Sequence, residues 1–118
     1  MLTQEQVELL TEWDEATIER MIAAGEISGG QQGFDPVEVY RLSPRAREAF
    51  DQLLDFAADR PVAMVRWREL KYAGLMATAD RAYSLGNGVE IWWFRLTELG
   101  REVVSRLQEQ TDIGLGLD

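Results

Sequence analysis

The sequence predicts an α+β fold built from two tandem helix–strand units, each carrying a short two-stranded antiparallel wing, packed as one compact body. Three observations predict it. Val37-Glu38-Val39-Tyr40-Arg41-Leu42-Ser43-Pro44-Arg45-Ala46-Arg47-Glu48 recurs as Ile91-Trp92-Trp93-Phe94-Arg95-Leu96-Thr97-Glu98-Leu99-Gly100-Arg101-Glu102, an offset of 54. Upstream, residues 19–27 are echoed by residues 68–76, an offset of 49, and a turn absorbs the difference between the offsets at little cost. Each copy then reads helix, glycine stop, strand, turn, strand, Ser/Thr cap and helix, which is the skeleton of a winged-helix-like unit.

The first element is a helix capped by Thr3, with Gln6 placed to reach back as the partner in a capping box, and Val7, Leu10 and Leu9 on its buried side. Thr11 and Asp14 both cap well, so a turn over 11–14 and a second helix to about Ala24 are expected, stopped by Gly25. A single helix over 3–24 is the alternative, since neither Pro nor Gly interrupts that span. Residues 28–33 read as a flexible wing tip, and Val37 to Leu42 as a short strand after Asp35-Pro36. Ser43-Pro44 is a strong helix start, and the helix that follows gathers Ala46, Ala49, Phe50, Leu53, Leu54 and Ala57 on one side. That helix, 43–59, is shared by both units: 1–58 is the first and 43–110 the second, with 111–118 as a frayed tail. Within the second unit, 62–72 reads as helix ended by Gly74. Residues 75–85 and 89–96 form a hairpin about Gly86-Asn87-Gly88, and Thr97 caps a last helix bearing Leu99, Val103, Val104 and Leu107.

Composition narrows the function. The chain of 118 residues has no cysteine and no histidine, so it lacks thiolate sites, a cysteine nucleophile, and the commonest general base and metal ligand near neutral pH. Glycine-rich phosphate loops are missing too, because Gly29-Gly30 is not followed by Lys-Ser/Thr. A non-enzymatic protein without metal or cofactor is expected. No apolar run is long enough to span a membrane, and the acidic start lacks a leading basic-apolar block, so a cytoplasmic location is expected. The net charge of −9 is unevenly divided: residues 1–59 carry −9, residues 60–106 carry +3 and the last twelve carry −3.

Leu2-Thr3-Gln4-Glu5-Gln6-Val7-Glu8-Leu9-Leu10, residues 15–27 and Tyr40-Arg41-Leu42 together resemble the excisionase and MerR-type winged helix-turn-helix. The resemblance covers roughly residues 2–54, and residues 62–110 are similar to the later part of a winged helix. It implies DNA binding, with the second helix in the major groove and the wing beside the duplex. The residues on that second helix depart from the family pattern, since Asp14, Glu15 and Glu19 occupy its opening surface and Arg20 is its lone base.

Two contact surfaces follow. The basic one is Arg66, Arg68, Lys71, Arg81, Arg95 and Arg101, with Asn87 at the wing tip. It would hold DNA through helix and wing, with Arg66, Arg68 and Arg81 anchoring phosphates. A transcription regulator working as a homodimer or within a larger complex is the function expected of it. The acidic surface is Glu5, Glu8, Glu12, Asp14, Glu15 and Glu19. Its spacing of three and four residues would align the glutamates as one stripe on a continuous helix. Such a stripe serves solubility, or it mimics DNA phosphates on an inhibitor of a basic nucleic-acid-binding protein, as in phage anti-defence or anti-CRISPR-like proteins. Trp92 and Trp93 are adjacent on a strand and therefore point to opposite faces, which makes them candidates for an aromatic interface. Trp13 and Trp67 read as packing residues.

Overall fold

The computed structural model describes residues 1–29, 32–60, 65–84 and 90–115, apart from the side chains of 79–84, 90–93 and 111–115. Within them the protein is α+β, mostly helical, with one two-stranded antiparallel sheet.

The first helix, α1 (Gln4–Thr11), starts on the expected capping box: Thr3 Oγ1 accepts the Gln6 N–H and Gln6 Oε1 accepts the Thr3 N–H. It ends at Glu12, whose backbone is left-handed at φ 64, so the alternative of one helix over 3–24 does not hold. Asp14 then caps α2 (Glu15–Ala23) by accepting the Thr17 N–H. Gly25 at φ 74 stops α2, with the Glu26 N–H bonded back to the Met21 carbonyl.

The strand expected over Val37 to Leu42 is instead a helix, α3 (Pro36–Leu42). Asp35 accepts the Val37 N–H and Pro36 occupies the first turn, which is the same helix-start chemistry as Ser43-Pro44. Capping and the proline's fixed φ therefore override the β-branched alternation of Val37 and Val39, both of which are buried in helical form. The only strand-like pairing ahead of α3 among the described residues is the bridge between Leu2 and Phe34, with reciprocal hydrogen bonds of 2.8 Å.

Helix α4 (Pro44–Ala57) begins on Ser43, whose hydroxyl accepts the Ala46 N–H, and it buries Ala46, Ala49, Phe50 and Leu53 at the centre of the molecule. It packs against α1, α3, α5 (Trp67–Tyr72) and α6 (Glu98–Leu115). The helix expected over 62–72 is thus shorter at its start: 61–64 lie outside the described residues, and 65–66 form a turn. Gly74 at φ 79 ends α5, the Leu75 N–H bonding the Leu70 carbonyl, so the α2 and α5 stops are the same motif as their sequences suggest.

The strands β1 (Met76–Ser84) and β2 (Glu90–Leu96) pair from Met76 opposite Leu96 to Ser84 opposite Glu90. The register passes from Thr78 opposite Phe94 to Ala82 opposite Trp92, so β1 carries extra residues across an irregularity. The expected turn at Gly86-Asn87-Gly88 lies outside the described residues. Thr97 caps α6 by accepting the Gly100 N–H, while its own N–H bonds the Leu75 carbonyl and its hydroxyl donates to the Gly74 carbonyl. A Cβ on Gly100 would fall 2.0 Å from the Leu75 carbonyl oxygen, so only glycine lets α6 start this close to the end of α5. The helix runs on to Leu115, past the boundary at 110 where a frayed tail was expected.

The offset of 54 therefore relates two helix starts. Ser43 and Thr97 make the same cap, and Arg47 and Arg101 both reach back to carbonyls of the preceding segment, at Arg41 and Leu96. Ahead of the caps the copies differ, as α3 in one and β2 in the other.

Candidate nucleic-acid interface

Helix α5 is only six residues long and has no side-chain cap, so its place is set by what it packs on. Leu70 and Ala73 are buried, and Gln6 of α1 donates to the Ala73 carbonyl at 2.6 Å. Trp67 is half-buried against Phe94 of β2, with ring centroids 5.6 Å apart. Those contacts turn Arg68, Lys71 and Tyr72 outward, at i, i+3 and i+4 on one side of the helix. Arg68 and Lys71 both lie over the Trp67 ring, 5.8 and 5.6 Å from its centroid. Neither forms a salt bridge among the described residues. Tyr72 is 73% exposed, the most exposed large apolar residue among those described.

Arg66 is placed differently. Its guanidinium meets Glu48 of α4 at 3.2 Å and Glu69 at 3.4 Å, and its backbone N–H bonds Gln52 Oε1 at 2.8 Å. The hydrogen bond to Glu48, chiefly, holds the guanidinium still further above its ordinary pKa, against a smaller opposing effect of burial. Arg45 completes the cluster, 2.9 Å from Glu69 and 3.2 Å from Glu12. The structure therefore separates two of the three expected phosphate anchors: Arg68 faces solvent and Arg66 is engaged by acids. Arg81, the third, and Asn87 have side chains outside the described residues, as do Trp92 and Trp93. Arg95 is exposed, on the strand face opposite Phe94 and hence away from Trp67. Arg101 is spent locally on the Leu96 carbonyl.

The acidic residues are not brought into one stripe. The left-handed turn at Glu12 separates Glu5 and Glu8 on α1 from Glu15 and Glu19 on α2. Glu12 pairs with Arg45, and Asp14 is a cap, its carboxyl held below the ordinary value mainly by hydrogen bonding to Thr17. Glu5, Glu15 and Glu19 are exposed and form no salt bridge among the described residues. No group of three or more acidic side chains with metal-binding geometry occurs among the described residues. None of their helices is long and apolar enough to cross a membrane.

Sequence reasoning missed Tyr72 and the α4 residues that hold Arg66 and Glu69. A signal for the latter was present, since Arg45, Glu48 and Gln52 fall at i, i+3 and i+7 on one helix face. In comparisons with known proteins, the chain matches no protein family, no characterised protein and no solved structure.

Proposed function

We propose that this is a non-enzymatic regulatory protein of winged-helix type that contacts duplex DNA through α5 and the hairpin following it. The observation that carries the reading is the outward side of α5. Two cations there, Arg68 and Lys71, have no acidic partner among the described residues and stand next to exposed Tyr72, on a short helix that feeds directly into an antiparallel hairpin. A helix followed by a wing is the arrangement through which winged helices meet a duplex. Phosphate anchoring falls to Arg68 and Lys71, with Arg81 and Asn87 as the further contacts that the sequence offers. In this reading the second unit is α4, α5, hairpin and α6, and the first keeps the cap and glycine stop but holds a helix where its wing strand was expected. Few anchors and an acidic whole mean weak binding per chain, which favours a homodimer or a larger complex.

The test is a salt-dependent titration against random duplex DNA. Each neutralised phosphate contributes about −0.9 to the slope of log affinity against log salt, so Arg68→Gln/Lys71→Gln should flatten that slope by about 2. Absence of binding at low salt, where this term is strongest, would sink the proposal.

A second reading is an acidic inhibitor that occupies a basic nucleic-acid-binding protein, and Glu5, Glu15 and Glu19, exposed and without a salt bridge among the described residues, favour it. Under it the wild type ignores duplex at every salt concentration, and Glu15→Lys/Glu19→Lys abolishes salt-sensitive binding to a purified basic DNA-binding protein.

A further inference from the structure

We propose that Arg45, Glu48 and Gln52, one face of α4, are positioning residues for the α5 contact surface; this rests on the duplex-binding reading above. Three side chains from that face grip the start of α5. Arg45 meets Glu69 at 2.9 Å, Glu48 meets Arg66 at 3.2 Å, and Gln52 accepts the Arg66 backbone N–H at 2.8 Å. Arg66 and Glu69 also pair with each other, so the five residues form one polar clamp.

A six-residue helix without a side-chain cap cannot hold its own orientation. Leu70 and Ala73 fix its depth, while the clamp fixes its rotation, and with it the direction in which Arg68, Lys71 and Tyr72 face. The side chains of Arg66 and Glu69 are 24% and 19% exposed, and they lie on the α4 side of α5 rather than on its outward side. They therefore serve the interface through Arg68 and Lys71 instead of touching a duplex. Arg45 extends the clamp to α1 through Glu12, so α5 is set against both neighbouring helices.

Two substitutions separate positioning from charge. Glu69→Gln removes a negative charge next to the proposed interface. If Glu69 acts only through its charge, duplex affinity rises. If it positions α5, affinity falls on the order of 5-fold, the weight of about one hydrogen bond. Gln52→Met keeps the volume and changes no charge, yet removes the acceptor for Arg66, and it should weaken binding by a similar factor. In both variants the salt slope should stay at the wild-type value, because no phosphate contact is lost. Affinity is measured with random duplex at a temperature where circular dichroism shows each variant folded. Unchanged or tighter binding by both variants, with the wild type binding normally, overturns the clamp and leaves the duplex reading intact. A wild type that does not bind overturns both.

Discussion

Glu12 shows how a single residue shapes the first half of the chain. Its φ of 64 closes α1 and lets Asp14 open α2, so the exposed glutamates are divided between two helices. Left-handed backbone costs a non-glycine residue about 1–2 kcal/mol, and Glu has none of the local hydrogen bonding that helps Asn or Asp there. The Glu12 carboxylate is 68% exposed in its contact with Arg45, so that pair recovers little of the cost. Comparison of Glu12→Gly with Glu12→Ala isolates the backbone, because both lose the pair and only Gly relieves the strain. Glycine should be the more stable by about 1 kcal/mol in urea unfolding. Equal midpoints would mean that the turn carries no strain. The turn itself was legible in the capping residues Thr11 and Asp14, but its left-handed residue was not, since nothing in a glutamate announces that conformation.

At the scale of elements, the signals that proved decisive were helix starts and stops. Thr3, Asp14, Ser43 and Thr97 all cap as their sequences indicate, and Gly25 and Gly74 close their helices with the same left-handed geometry. The failure at Val37 to Leu42 has the same root. Asp35-Pro36 starts a helix there through its cap and fixed φ, whereas the aligned residues 91–96 lack such a start and lie in β2. Asp35 also ties α3 to α6, its carboxylate meeting Arg106 at 2.9 Å. Burial pushes the Asp35 carboxyl up, but the Arg106 hydrogen bond and the Val37 N–H together outweigh it and hold it below the ordinary aspartate range. A carboxyl depressed in the folded state stabilises the protein above its unfolded pKa and loses that contribution as pH falls through the folded value. Asp35→Asn keeps a capping oxygen while removing the charge. Its stability deficit against wild type should therefore be full at neutral pH and close as pH drops below about 3.9, the ordinary aspartate value, and on through the lower folded one. Denaturation curves of the two proteins across that range decide it, and a deficit that does not change with pH would assign the effect to capping alone.

Across the whole molecule, the two expected units share one interior. Leu2, Val7, Leu10 and Phe34 from the first, Phe50 and Leu53 from α4, and Leu70, Leu75, Val103 and Leu107 from the second belong to a single buried cluster. Helix α4 itself was legible, because Ser43-Pro44 announces its start and its apolar side is continuous. What the copies do with that helix was not legible, because the clamp on α5 depends on contacts between residues far apart in the chain. Phe50 sits fully buried on α4, stacked 6.5 Å from Tyr40 of α3. Phe50→Ala should cost about 3–5 kcal/mol, a large share of the roughly 5–15 kcal/mol that holds a domain of this size folded. The shared interior also dictates how that loss appears. Helix content and tryptophan fluorescence should shift together to a lower midpoint in one transition, because α4 packs against α1, α3, α5 and α6 alike. If the fluorescence transition instead stayed at the wild-type midpoint while helix content fell early, the second half would be holding its own core without Phe50, and the two units would be separate folding bodies joined by a helix.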